Sequence, residues 1–253
     1  MTAELSTTNM AAALLRDLGR APRDWALFLD IDGTLIDIAP TPEAVEIPHM
    51  LPPALARLNA ALGGALALIT GRRCDWAAHH FGPFAISGLH GAERLDATGH
   101  YATLGPPRSA VERARALIAA KLPQDVLLED KGGTLAVHYR QAPAQARTVA
   151  ALMADTARLL GPEWVVQHGK MVLELRPADT DKGQAVDFWL TTPAFAGRSV
   201  LAIGDDTTDE AMFAAARKHG GHAIRIAADG YATHADAILP SPAALRQLLQ
   251  EIA

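Results

Sequence analysis

The chain holds a single cysteine, Cys74, among its 253 residues, which excludes an intramolecular disulfide and any zinc site built on several thiolates. Such sparing use of cysteine fits a reducing compartment, and the cytoplasm is the expected location. Long basic runs are absent and the formal net charge is −5, so the chain lacks an electrostatic footprint for a nucleic-acid backbone or an anionic membrane surface. A small anionic substrate would need a locally cationic pocket. No apolar stretch approaches the roughly 20 residues that cross a bilayer. The first twenty residues carry an apolar patch from Ala11 to Leu15, but Arg16 and Asp17 interrupt it, Glu4 precedes it and no basic segment leads it. It reads as a short amphipathic helix, not a secretion signal. Fixed-period repeats, low-complexity tracts and the glycine-rich nucleotide signatures are missing too.

What is present is hydrophobic residue, 49% of the chain, enough for one large domain or a domain plus a module. Short apolar runs at 25–29, 65–69, 84–86 and 200–203 end in polar or glycine residues and alternate with helical stretches. That is the pattern of a parallel α/β sheet buried on both faces. A helix is expected over 53–62, entered through prolines and ended by Gly63 and Gly64. The middle of the chain differs. Strand-like runs at 126–131 and 134–140 flank Gly132-Gly133, runs at 164–168 and 171–176 flank Gly169-Lys170, and a helix over 144–160 separates the two hairpins. Residues 106–177 therefore read as an inserted α+β module, with 1–105 and 178–253 forming the core. Gly105-Pro106 and Pro177-Ala178 would serve as hinges, and residues 242–252 as a closing amphipathic helix.

Four segments carry chemistry. Asp30-Ile31-Asp32-Gly33-Thr34 follows a wholly apolar strand, which puts Asp30 where open parallel sheets place their ligand crevices. Two carboxylates so close are costly to bury unless a cation joins them or one stays protonated. Thr70-Gly71-Arg72 follows the next strand and offers a hydroxyl and backbone N–H groups suited to a phosphoryl group, although for the tripeptide alone a helix cap with a surface arginine is the favoured reading. Lys182 opens a helix, where a cation opposes the macrodipole. Gly204-Asp205-Asp206-Thr207-Thr208-Asp209-Glu210 gathers hard oxygen donors at a third strand end, a set suited to magnesium.

In order and spacing, Asp30-Ile31-Asp32-Gly33-Thr34, Thr70, Lys182 and Gly204-Asp205-Asp206 resemble the four motifs of the haloacid dehalogenase superfamily of phosphatases. Within it, Ser87-Gly88-Leu89-His90-Gly91-Ala92-Glu93, Glu129-Asp130-Lys131, His138-Tyr139-Arg140 and Gly169-Lys170 with Glu174 look like the trehalose-6-phosphate phosphatase family. The resemblance covers nearly the whole chain after about residue 20, with threonine at 70 where many relatives have serine.

The resemblance implies a Rossmann-like core carrying a C2-type cap, and Mg²⁺-dependent hydrolysis of trehalose 6-phosphate, the last step of trehalose synthesis. Asp30 would be the nucleophile that forms an aspartyl-phosphate, and Asp32 the general acid and then base. Magnesium would be held by Asp30, the backbone carbonyl of Asp32, and Asp205. Thr70 and Lys182 would bind phosphoryl oxygens, while Asp206 and Asp209 orient Lys182 or the metal's water ligands. Arg72, His90, Glu129, Lys131, Arg140, Lys170 and Glu174 would contact substrate, the last five as readers of sugar hydroxyls. Read singly, those five are equally well explained as exposed charges on the outer face of a small sheet. His138 is expected to be a packed or sheet-face residue and Cys74 to be inert. Functional coupling to a trehalose-phosphate synthase is the partner expectation. A capped phosphatase for sucrose phosphate or a glycosylated phosphoglycerate, a phosphomutase, and a non-catalytic sugar-phosphate sensor are the alternatives.

Overall fold

The computed structural model describes residues 7–39, 41, 44–169, 171–227 and 233–253. They divide into two compact units, one running to Tyr101 and resuming with Lys182–Ala253, the other Ala102–Asp181. In chain order the first unit begins with α1 (Thr7–Arg20), β1 (Trp25–Leu29), α2 (Leu51–Ala61), β2 (Leu66–Ile69), α3 (Cys74–Phe81), β3 (Ala85–Gly88) and β4 (Glu93–Leu95), and β5 (Tyr101–Thr103) spans the boundary. The second unit contains α4 (Arg108–Ala119), β6 (Leu127–Asp130), β7 (Leu135–His138), α5 (Ala146–Leu160), β8 (Trp164–Gly169) and β9 (Val172–Pro177). The first unit then resumes with α6 (Lys182–Trp189), β10 (Ser199–Gly204), α7 (Glu210–Lys218), β11 (His222–Ile226), β12 (Ala237–Leu239) and α8 (Pro242–Ile252).

The large sheet runs β12-β11-β10-β1-β2-β3-β4-β5. From β12 to β3 every neighbouring pair is parallel, and β4 joins antiparallel to β3. Its central strands are apolar on both faces because helices cover both: Ala26, Leu27, Phe28 and Leu29 are all fully buried. The chain leaves β1 toward β2 on one side and returns at β10 on the other, so the strand order reverses beside β1. Such a switch point opens a crevice at the carboxyl ends of the strands.

Helix α2 begins two residues earlier than expected, at Leu51, because Pro52 and Pro53 occupy its first turn, where a missing N–H costs nothing. Gly63 and Gly64 end it with φ of +69° and +87°. Strands β11 and β12 were not anticipated. Helix α1 is part of the core, not an appendage: Ala11, Leu14, Leu15 and Leu18 form its buried stripe, and it packs against β12 and α8. The approach is close at Gly19, where a Cβ would lie 2.9 Å from the Cβ of Ile252.

The second unit has a four-stranded antiparallel sheet, β6-β7-β9-β8, so the two expected hairpins lie side by side through β7 and β9. Helices α4 and α5 pack on one another and on this sheet, and Leu135, Val137, Leu173 and Leu175 contribute its buried face.

Leu15 is completely buried, so Leu15→Ala should lower unfolding free energy by about 2–5 kcal/mol. Urea titration followed by circular dichroism measures it, and a loss below about 1 kcal/mol would mean that α1 is peripheral to the fold.

Candidate active site

Three strand ends and one helix start meet at the switch point. Asp30 follows β1 and its N–H donates to the carbonyl of Ile203 in β10 (2.9 Å). Asp205 follows β10 directly, Thr70 follows β2, and Lys182 opens α6. The Lys182 ammonium lies 2.7 Å from Asp30 Oδ1 and 2.6 Å from Asp209 Oδ1. All three residues are buried. The lysine that seemed misplaced at a helix start is thus a countercharge between two acids.

Asp209 is fixed from its other side. Its Oδ2 accepts the backbone N–H groups of Asp205 (2.9 Å) and Asp206 (3.0 Å), while Asp206 Oδ1 accepts the N–H of Thr207 (2.6 Å). This capping box turns the acidic run into a rigid helix entry. Thr34 Oγ1 lies 3.1 Å from Asp30 Oδ2 and 3.4 Å from Asp205 Oδ1, linking the acids of β1 and β10. Gly33, at φ +86°, is required here, since a Cβ would fall 2.2 Å from Asp205 Oδ2.

Carboxylate oxygens of Asp30, Asp205 and Asp209 all lie within 4.8 Å of one another. Burial raises the Asp30 carboxyl well above its usual value, and the charges of Asp209 and Asp205 add to this against the pull of Lys182. Burial likewise raises Asp205 to about 7, again with Asp209 adding and Lys182 opposing. Desolvation works against the Lys182 ammonium, but Asp209 and Asp30 outweigh it and hold its pKa above the ordinary lysine value. One buried cation does not satisfy three acids, two of them buried and Asp205 partly so. The donor set is all oxygen, anionic and close, which fits a hard divalent cation.

Of the other expected residues, Thr70 is buried and its Oγ1 accepts the N–H of Arg72 (3.1 Å). Arg72 forms a two-pronged ion pair with Asp32, Nε to Oδ2 at 2.7 Å and Nη2 to Oδ1 at 2.6 Å. His90 donates its N–H to the Thr70 carbonyl (3.0 Å) from a left-handed conformation (φ +57°), and its ring lies where a Cβ on Gly71 would come within 2.7 Å. Cys74 is buried, and burial followed by the charge of Glu93 pushes its thiol up to about 12, as an inert cysteine requires.

Two contributors carried no role in the sequence reading. Thr34 was visible as the end of the first motif. Glu93 reaches from β4 to accept the N–H of Cys74 (2.9 Å), capping α3, and no local pattern around α3 signals a cap from so far along the chain.

In the second unit the charged residues are paired on one sheet face. Glu129 lies opposite Ala136, Ala136 opposite Glu174, and Glu174 opposite Gln167, a row across all four strands. Lys131 Nζ lies 3.1 Å from Glu174 Oε2, and Thr134 Oγ1 donates to Glu174 Oε1 at 2.6 Å. His138 Nε2 lies 2.8 Å from Glu129 Oε2, and this hydrogen bond is the foremost reason that the Glu129 carboxyl is held below its usual value. Reading these as exposed charges fails for Glu174, which is 6% exposed. His138 is half-buried on the sheet face, with Glu129 as its partner. Arg140 is exposed in the turn after β7, and Lys170 lies outside the described residues.

Residues 28–238 match the family model described as trehalose-phosphatase. A probable trehalose-phosphate phosphatase of Sinorhizobium fredii is 48% identical over 97% of this chain and 92% of its own length. The trehalose-6-phosphate phosphatase of Escherichia coli is 36% identical over 80% of this chain and 77% of its own. Among solved structures, the C-terminal domain of the Candida albicans trehalose-6-phosphate phosphatase aligns with a TM-score of 0.84 over 100% of this chain and 99% of that one, at 21% identity. The C-terminal domain of a C. albicans trehalose synthase regulatory protein also shares the fold, with a TM-score of 0.67 and 12% identity over 94% of this chain and 97% of that one.

The raised Asp205 gives a signed prediction. Its folded pKa of about 7 lies above the unfolded value of about 3.9, so its contribution to stability is present at low pH and is lost as pH rises through 7 in metal-free protein. A divalent cation competes with that proton. Its addition should raise Tm more at about pH 8 than at about pH 5.5, approaching about 2.7 kcal/mol of stabilisation at a hundred times Kd. Asp205→Asn should remove most of the shift. Thermal melting of chelated and cation-loaded protein reads this out, and equal shifts at both pH values would count against a cation at these acids.

Proposed function

The chain belongs to the trehalose-phosphatase family, and on that footing we propose that it hydrolyses trehalose 6-phosphate to trehalose and phosphate, with magnesium as its metal and Asp30 as its nucleophile. The observation that carries this reading is the buried Asp30 at a strand end, held by Lys182 at 2.7 Å and facing Asp205 across the switch point.

Asp30, the backbone carbonyl of Asp32, and Asp205 would hold the metal. When bound, its charge offsets the negative charge that carboxylate and phosphate bring together. An oxygen of Asp30 forms a bond to phosphorus as the bond from phosphorus to the sugar oxygen breaks, and protonated Asp32 gives its proton to the departing oxygen. The Asp32 carboxylate then takes a proton from water as that water attacks the aspartyl-phosphate, releasing phosphate and restoring Asp30.

Lys182 offsets charge on the phosphoryl oxygens while Asp209 keeps it in place (2.6 Å). The Thr70 hydroxyl accepts the Arg72 N–H, so its own proton is directed to a phosphoryl oxygen. Asp206 stabilises the acidic loop as a helix cap.

The second unit we assign as the cap, with Glu129, Lys131, Arg140, Lys170 and Glu174 reading sugar hydroxyls. A carboxylate already paired at 3.1 Å to Lys131 presents acceptor and donor in fixed geometry, which suits a ligand rich in hydroxyls. No helix among the described residues is long and apolar enough to cross a membrane. Cytoplasmic residence and coupling to a trehalose-phosphate synthase complete the reading.

Asp30→Asn keeps shape but removes the nucleophilic charge, and turnover should fall roughly a thousandfold or more. Phosphate release near the normal rate from this variant would refute Asp30 as nucleophile. Phosphate release should also be strongest with trehalose 6-phosphate in a panel including sucrose 6-phosphate and a glucosyl-phosphoglycerate, and a chelator should abolish it. A clear preference for another member of the panel would reassign the sugar while leaving the core chemistry intact.

A further inference from the structure

Arg72 stands in the phosphate-facing motif yet spends its guanidinium on a carboxylate. Both prongs engage Asp32, at 2.7 and 2.6 Å. Two parallel hydrogen bonds fix the plane of a carboxylate as well as its position, which a single ammonium cannot do. The guanidinium is itself braced, with Cζ 3.9 Å from the centroid of the Trp76 ring. The Trp76 ring in turn stacks on His80 at 4.2 Å, and His80 Nδ1 lies 2.8 Å from the Trp76 carbonyl. Trp76 and His80 lie one turn apart on α3 and Arg72 in the loop just before it, so the three groups stack in succession away from Asp32.

The backbone beneath the arginine is pinned as well. Its N–H donates to Thr70 Oγ1 (3.1 Å) and its carbonyl accepts from Leu89 (2.9 Å). A Cβ on Gly88 would come within 2.8 Å of that carbonyl, so this close approach of the two backbones requires glycine.

We infer that Arg72, braced on Trp76, is a positioning residue that sets the plane of the Asp32 carboxylate for both of its proton transfers. This rests on the assignment of Asp32 as the acid and base. The physical need is clear: Asp32 must meet the sugar oxygen in one half-reaction and a water in the next, without moving between them. A carboxylate has about four lone-pair sites; the fork occupies one on each oxygen and leaves the others in a fixed direction, where one carries the proton given to the sugar oxygen and takes it back from water. Arginine suits the role because it stays protonated and so does not compete as the acid. The aromatic face holds the guanidinium flat without taking its in-plane donors.

The test measures kcat and KM of the full chain with magnesium on trehalose 6-phosphate, whose alkoxide must be protonated to leave, and on p-nitrophenyl phosphate, whose leaving group needs little help. Arg72→Met should lower kcat on the sugar phosphate about ten- to a hundredfold with KM within about threefold, consistent with part of a proton-transfer contribution of about 10²–10⁴. Its loss on the aryl ester should be smaller by about tenfold. Arg72→Lys restores charge without the fork and should remain impaired. Trp76→Leu should show the same leaving-group pattern more weakly, and Trp76→Phe, which keeps a ring, should recover most of it. Melting curves on each variant separate these effects from misfolding, and the two conservative variants keep the test open if others fold poorly. A raised KM with unchanged kcat, or full rescue by lysine, would overturn the inference in favour of a phosphate ligand. Asp32→Asn run alongside distinguishes the two levels. If it stays active on the sugar phosphate, the assignment of Asp32 falls and this inference with it; if it is inactive while Arg72→Met is normal, only the positioning role falls.

Discussion

The buried ammonium of Lys182 is the interaction on which the site depends. It touches Asp30 at 2.7 Å and Asp209 at 2.6 Å in a region closed to solvent. Isolated buried charges are costly by several kcal/mol each, so none of these side chains is tolerable there alone. The contact also joins distant parts of the chain, because Asp30 ends β1 while Lys182 begins α6, 152 positions later. With Asp205 included, three carboxylates face one ammonium, leaving two negative charges when all are ionised. A doubly charged cation is the stoichiometric complement; burial first, and then the charge of Asp209, raise the Asp205 pKa.

Much of this arrangement was legible in the sequence, for identifiable reasons. A central parallel strand is apolar throughout, so residues 25–29 could be read as β1 and Asp30 placed at its end. The two glycine-centred turns marked the hairpins of the second unit because few other residues accept such turns. Strands β11 and β12 escaped because His222 and Arg225 break the apolar run of the first and the second is only three residues long. The buried face of α1 was periodic in sequence, yet periodicity does not say what a helix packs against. Arg72 is the clearest case of local ambiguity. Its tripeptide fits a cap, a phosphate ligand or a surface arginine alike, and only tertiary structure puts Asp32 within 2.7 Å of it.

The two units divide these lessons. In the first, charges are buried and committed to one another, and the geometry leaves few chemical options. In the second, Lys131, Glu174, Glu129 and His138 make pairs on a half-buried sheet face, an arrangement that a structural sheet and a sugar reader would share. Fold alone does not choose between those uses, since the C-terminal domain of a trehalose synthase regulatory protein has the same architecture at 12% identity. Sequence identity of 48% with a probable trehalose-phosphate phosphatase shows the family, and the acid set lies in the first unit.

Helix α1 packs against β12 and α8, whose residues follow it in the chain only after all the other elements of both units. At roughly 5–20 residues per second, that apolar stripe waits on the order of ten seconds or more before it can be covered. The second unit carries its own compact core between Ala102 and Asp181 and can close while the remainder is still being synthesised. The second unit can therefore complete its core before the first, and Lys182 reaches Asp30 only once the whole of that unit has been made.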